Sequence, residues 1–329
     1  MTQRIKQYNY CLDFIKGIAC IFVVWMHCEF PGLLGIAVQA ISRFCVPLFF
    51  MVSGYFCFNV SVGVNSSKKI KHVAKIALYS SLFYLAFVGM QHIVFHNQDF
   101  EITTKRCFIW IIFNAPIIIE SQYWFLFALL YTYVFFFFIR KHLSNQTLYY
   151  LAGSLFVLYY VLAQGAHLSG FHVPNYIYRN WLIEGFPFFM LGHFLHEYQD
   201  RIHIKNNILL IVIVISTILC LPERYLMGRD FGVNICTPPQ VIALMLYAIK
   251  NPYRNKGVIQ KLGKYCSMFV YILHPAVWHS MDGIYQINGI SGNICALYLK
   301  PIVVVIITIL LSFGCSYIQK KNKMAKAYA

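Results

Sequence analysis

The sequence predicts an all-α fold: a polytopic transmembrane helical bundle of about ten spans with both termini cytoplasmic. Three observations predict it. Of 329 residues, 59% are hydrophobic and only 12% are charged, roughly half the charged share of a soluble globular chain. Apolar runs near the 20 residues that a bilayer core requires recur along the whole length. Lysine and arginine alternate in density from loop to loop, as the positive-inside rule requires of cytoplasmic loops.

Taken in order, the first span is 12–30. Arg4 and Lys6 precede it like the n-region of a signal peptide. No small-x-small cleavage site follows and many further spans do, so it is expected to stay as the first span. The second, 36–58, carries Arg43 near its outer end, then Pro47, which removes a backbone donor and kinks the helix. The third, 73–95, follows Lys68, Lys69, Lys71 and Lys75. Residues 108–119 are apolar, too short to cross and broken by Pro116, which fits an interfacial or re-entrant segment. Spans at 121–139, 148–164, 181–198, 206–222, 235–250, 265–283 and 300–318 complete the set. The sixth of the ten carries polar residues and the eighth is short. With the N-terminus inside, 19 basic residues fall in inner segments, including Lys250, Arg254, Lys256, Lys261 and Lys264, and 6 in outer ones. That bias sets both termini inside, and ten spans satisfy it.

Other classes drop out. A net charge of +16 reflects the inner loops, and no nucleic-acid-binding module is visible. Most of the 11 cysteines lie in apolar runs with no C-x-x-C pair, where cysteine behaves as a small apolar residue. His167 and His172 lack metal-site spacing, so no metal is expected. Residues 1–329 read as one membrane domain with no soluble catalytic domain appended. Chemistry must therefore use groups in or beside the bilayer.

Ionisable groups inside spans are costly and usually face a protein interior or a water-filled cavity. Lys16 and His27 are 11 residues apart, three helical turns plus roughly 20°, so they share one face about 16 Å apart along the axis. Asp13 precedes Lys16 by three and joins that face; Glu29 does not. One reading is bland: an Asp13–Lys16 ion pair with Lys16 snorkelling, and His27 as a satisfied interior histidine. The other is a functional stripe across the membrane. Arg43 reads equally as an interfacial anchor. Ser53 and Gly54 permit close approach of another helix or of a ligand.

These blocks resemble a known family. Asp13-Phe-Ile-Lys16-Gly17 followed by His27 is similar to the Asp-x-x-Arg/Lys-Gly opening, and to the Arg/Lys, ten residues, His hallmark, of the acyltransferase 3 family. Lys16 stands where Arg is commoner and is a point charge without Arg's planar fork. Arg43-Phe-Cys-Val46-Pro47-Leu-Phe49-Phe50-Met-Val-Ser53-Gly54 resembles the family's second block. Tyr123-Trp124-Phe125-Leu126, the Phe188-Phe189-Met-Leu-Gly192 segment and His274-Pro275 resemble later elements, in family order.

The resemblance implies an integral-membrane O-acyltransferase of the cytoplasmic (inner) membrane that moves an acetyl group from acetyl-CoA to a hydroxyl of a surface or lipid-linked glycan. It implies His27 as general base or acyl carrier, Asp13 orienting Lys16, and Arg43 stabilising developing charge or positioning substrate. Lys16 would hold the donor's phosphates, with Ser53 and Gly54 along the donor path; His274 lines that path or is structural. Tyr123, Trp124, Glu120 and Glu184, near the outer boundary, would meet the sugar; an ordinary aromatic belt accounts for the rings as well. The basic 250–264 loop is explained by the positive-inside rule before any donor role. The rival reading is a transporter with the same stripe lining its path, although no paired repeat is visible.

Overall fold

In the computed structural model, the structure describes residues 8–95, 109, 111–114, 124–228 and 231–328. Among these there is helix and no strand. The helices are α1 (Tyr10–His27), α2 (Gly32–Ile41), α3 (Cys45–Tyr55), α4 (Val64–Phe95), α5 (Trp124–Ile139), α6 (Asn145–Tyr160), α7 (Phe186–Tyr198), α8 (Asn206–Met227), α9 (Thr237–Lys250), α10 (Ser267–Ile287) and α11 (Ile294–Tyr328). A 3₁₀ turn at Ser42–Phe44 joins α2 to α3, and single π turns at Val161–Gly165, Trp181–Gly185 and Leu262–Cys266 extend α6, α7 and α10.

Among the described residues, six segments are long and apolar enough to cross a membrane: Tyr10–His27, Gly32–Tyr55, Val64–Gln91, Asn145–Leu168, Asn206–Met227 and Ile294–Asn322; Trp124–Ile139 is apolar but shorter. The remaining expected spans are helical and fall short for visible reasons. The 181–198 segment contains His193, His196 and Glu197, α9 has 14 residues, and α10 is interrupted by His274, His279 and Asp282. Polarity is tolerated where a helix is buried in protein rather than facing lipid. Accordingly Phe186, Phe188, Phe189, Met190 and His193 of α7 are buried, while α8 exposes Ile211, Val214, Ile215 and Ile218. Such an apolar exposed face suits lipid and not water. Most of the expected re-entrant segment 108–119 lies outside the described residues.

The chain forms two compact units, one of residues 1–45, 204–228 and 236–329, the other of 46–203 and 229–235. In the first unit α1 starts at Asn9, whose side chain accepts from the Leu12 amide at 2.8 Å, a standard N-cap. Asn9 also donates to the Ala248 carbonyl at 2.8 Å, and the Tyr10 amide donates to Pro252 at 2.7 Å, tying the start of α1 to the end of α9. Further along, α1 meets the 258–266 segment backbone to backbone. A Cβ at Gly17 would lie 2.0 Å from the Ile259 carbonyl oxygen, and one at Gly263 would lie 1.9 Å from the Asp13 carbonyl oxygen. In the second unit α3 and α7 touch in the same way: a Cβ at Gly54 would lie 1.8 Å from the Phe189 oxygen, and one at Gly192 would lie 1.9 Å from the Met51 oxygen. Small residues at such crossings are how membrane helices approach closely. The described cysteines are free, and Cys11, Cys20, Cys28, Cys45, Cys57, Cys220 and Cys266 are buried.

These crossings predict a sharp contrast. Gly17→Ala and Gly192→Ala are each expected to destabilise the protein by about 1–3 kcal/mol, because rigid backbone must move. Gly153→Ala, with nothing within 4 Å of its Cβ position, is expected to be neutral or stabilising. Apparent melting temperatures of the detergent-purified variants check this.

Candidate active site

The N-terminal end of α1 carries a network built on Asp13, which is 9% exposed. Lys16 Nζ donates to Asp13 Oδ1 at 2.9 Å, and the Tyr8 hydroxyl donates to Asp13 Oδ2. One carboxylate thus fixes a cation one turn along α1 and a phenol from the preceding chain. Burial, and then the bond to Asp13, push the Tyr8 phenol up to about 12. Gln260 Nε2 donates to Tyr8 Oη at 3.3 Å, and Lys264 Nζ stands 4.1 Å above the Tyr8 ring. Lys256 Nζ stands 4.6 Å above the Tyr10 ring. Cations over aromatic faces are held there by the ring quadrupole. The basic 250–264 segment is therefore folded against the start of α1, where Lys16 projects.

At the other end of α1, the His27 ring lies 5.3 Å from the His274 ring, centroid to centroid, with 30° between planes. His274 is 1% exposed. Its Nδ1 lies 3.0 Å from the Val270 carbonyl; a carbonyl only accepts, so Nδ1 carries the proton of the neutral ring and Nε2 a lone pair. Arg43, 5% exposed, reaches this end as well, with Nη1 3.2 Å from Sδ of Met26, the residue before His27. Glu29 lies beyond the helix, is exposed, and accepts from Gln39 at 2.7 Å.

The first unit thus brings together Asp13, Lys16, His27, Arg43 and His274. The other named candidates lie in the second unit. The Ser53 hydroxyl donates to the Phe49 carbonyl of its own helix at 2.8 Å, and Gly54 is filled by the Phe189 backbone. Trp124 is 9% exposed, with the Arg179 guanidinium 5.1 Å from its ring centre. Glu184 is buried in the π turn before α7. Tyr123 and Glu120 lie outside the described residues. Sequence reasoning missed Tyr8 and Gln260, and it weighed Lys256 and Lys264 only as members of the basic 250–264 loop. The signal was the lysine density of 250–264, which loop topology already accounted for, and only the Gly17–Gly263 contact shows where that segment packs.

A family model for an acyltransferase domain, the acyltransferase 3 type, matches residues 9–319. No curated protein and no solved structure matches the chain significantly.

The Asp13 network has a measurable signature. Asp13→Ala strands Tyr8 and Lys16 together and is expected to cost about 2 kcal/mol. The Asp13→Ala, Lys16→Ala double variant is expected to melt well above the value that adding the two single losses gives, since groups in one network couple. Strict additivity of the three melting temperatures contradicts the network.

Proposed function

The chain belongs to the acyltransferase 3 family, and on that premise we propose that it is an inner-membrane O-acetyltransferase. It would move an acetyl group from cytoplasmic acetyl-CoA to a hydroxyl of a surface or lipid-linked glycan, crossing the membrane about ten times with both termini inside. The observation that carries this reading is the division of α1. Asp13 and Lys16 stand at one end beside Lys256 and Lys264. His27 stands at the other beside His274 and near Arg43. The separation is about 16 Å, a length that an extended pantetheine arm covers.

The donor's phosphates are anionic, and the ammonium groups of Lys16, Lys256 and Lys264 supply the matching charge without a metal. Asp13 orients Lys16 through their 2.9 Å bond. Its charge is partly spent on Tyr8, so it does not cancel the basic cluster. At the far end, the acceptor hydroxyl oxygen bonds to the thioester carbonyl carbon as its proton passes to His27. The tetrahedral intermediate places negative charge on the former carbonyl oxygen, which Arg43 stabilises. The carbon–sulfur bond then breaks, and the proton on His27 moves to the departing thiolate. A histidine suits both transfers because its unperturbed titration lies near neutrality. In the carrier version of the mechanism the acetyl group instead rests on His27 before reaching the sugar.

Removing the base is expected to lower turnover by at least about 100-fold, so His27→Ala should lose surface-glycan acetylation, read by mass spectrometry, while inserting normally. An active variant overturns this role. Lys16→Ala is expected to raise KM for acetyl-CoA roughly tenfold, the equivalent of about 1.4 kcal/mol, with kcat little changed. Acetyl-CoA at about 100 times its Kd should stabilise the purified protein by about 2.7 kcal/mol; no shift in melting temperature favours transport of a solute instead. An acetyl–His27 adduct trapped with acetyl-CoA alone assigns the carrier mechanism.

A further inference from the structure

His274 is an expensive residue for its position. It is 1% exposed on a helix face otherwise formed by Val270, Pro275 and Ala276, and among the described residues its Nε2 has no hydrogen-bond partner. A buried polar atom left in that state is destabilising, a cost that an apolar side chain would avoid. The other ring nitrogen is fixed with care. Pro275 has no N–H, so the helix leaves the Tyr271 carbonyl, four residues earlier, without its ordinary partner. His274 Nδ1 bonds to the carbonyl of Val270, the residue before Tyr271, at 3.0 Å. The His274-Pro275 dipeptide thereby pins the proton on Nδ1 and turns the Nε2 lone pair away from the helix backbone.

The neighbouring imidazole is His27, at 5.3 Å between ring centres and 30° between planes. Two imidazoles joined by one N–H···N bond of about 3 Å have centres roughly 5 Å apart.

We propose that His274 is a positioning residue for His27, its Nε2 accepting a hydrogen bond from the His27 ring when His27 takes up the acceptor's proton. This rests on the reading of His27 as general base. The orienting partner of a catalytic histidine is often a carboxylate; His274 would act as a neutral one. A buried neutral imidazole carries a far smaller desolvation cost than a buried carboxylate. It holds the base in one orientation and steadies the imidazolium while it exists. Such bonds are long in the resting enzyme and tighten as the base is protonated.

The test uses full-length protein in inverted membrane vesicles of its host, which supply the acceptor and expose the donor side, with free thiol release from acetyl-CoA as readout. His274→Asn and His274→Phe are expected to lose about 10–100-fold in turnover with KM for acetyl-CoA unchanged. His274→Gln, whose amide oxygen can stand where Nε2 stood, is expected to recover at least several-fold over His274→Asn. Wild-type turnover in His274→Asn, or a raised KM at constant kcat, overturns the proposal; the second result would make His274 a donor-lining residue. Should His274→Phe fail to fold, the Asn and Gln pair decides. A readout free of turnover is the rate at which diethyl pyrocarbonate modifies His27, followed by mass spectrometry. It should fall several-fold in His274→Asn, and an unchanged rate counts against the proposal. If the wild type releases no thiol, the acetyl-transfer reading fails, and the modification rate still decides whether His274 acts on His27.

Discussion

The backbone of α1 rests directly on the backbone of the 258–266 segment, and the chemistry of the first unit depends on that contact. It exists because Gly17 and Gly263 have no side chains: a Cβ on either would sit within 2.0 Å of a carbonyl oxygen. Two consequences follow from one approach. The basic 250–264 loop is carried to the start of α1 and Lys264 is set over Tyr8. The crossing residue Gly263 lies in the π turn at Leu262–Cys266. The α10 helix that continues from it leaves His274 level with His27. A single glycine pair thus sets both ends of the stripe.

Electrostatics explains why the two ends differ. At the N-terminal end the charges are formal and numerous, and Asp13 is shared between a phenol and an ammonium. That arrangement leaves net positive charge facing whatever approaches. At the C-terminal end the His27 ring faces the buried His274 imidazole, and Arg43 reaches the adjacent Met26 thioether. Under the proposed transfer, charge would form there only transiently, and burial makes an uncompensated charge expensive.

Much of this was legible in the sequence. The shared face of Asp13, Lys16 and His27 follows from helix periodicity alone, and α1 spans all three. Helices occupy most of each expected span, because long apolar periodicity is a strong signal. The count of long apolar helices was less legible, since α7, α9 and α10 are shielded by protein and need not meet the lipid standard of length and hydropathy. The site's partners were the least legible. Ser53-Gly54 looked open to helix or ligand, and the backbone that packs on Gly54 is that of Phe189, 135 residues on in sequence. Lys264 looked like an ordinary loop lysine. His274 looked undecided, since nothing in its local sequence names His27. In each case the missing information is a long-range contact, which periodicity and composition do not carry.

The His-Pro dipeptide shows how such a contact is nevertheless written locally. Proline inside a membrane helix removes one hydrogen bond and exposes one carbonyl, a defect that must be satisfied within the protein. Here the residue directly before the proline bonds its own Nδ1 to the Val270 carbonyl. Threonine can likewise bond the backbone and still accept, as Thr217 does from Gln240 at 2.8 Å, but its one hydroxyl stays beside its own helix. Histidine differs because it has a second nitrogen on the far side of a rigid ring. Bonding the backbone with one nitrogen does not exhaust it; it determines the state of the other. A proline defect and a histidine together therefore make a buried acceptor of defined tautomer and direction.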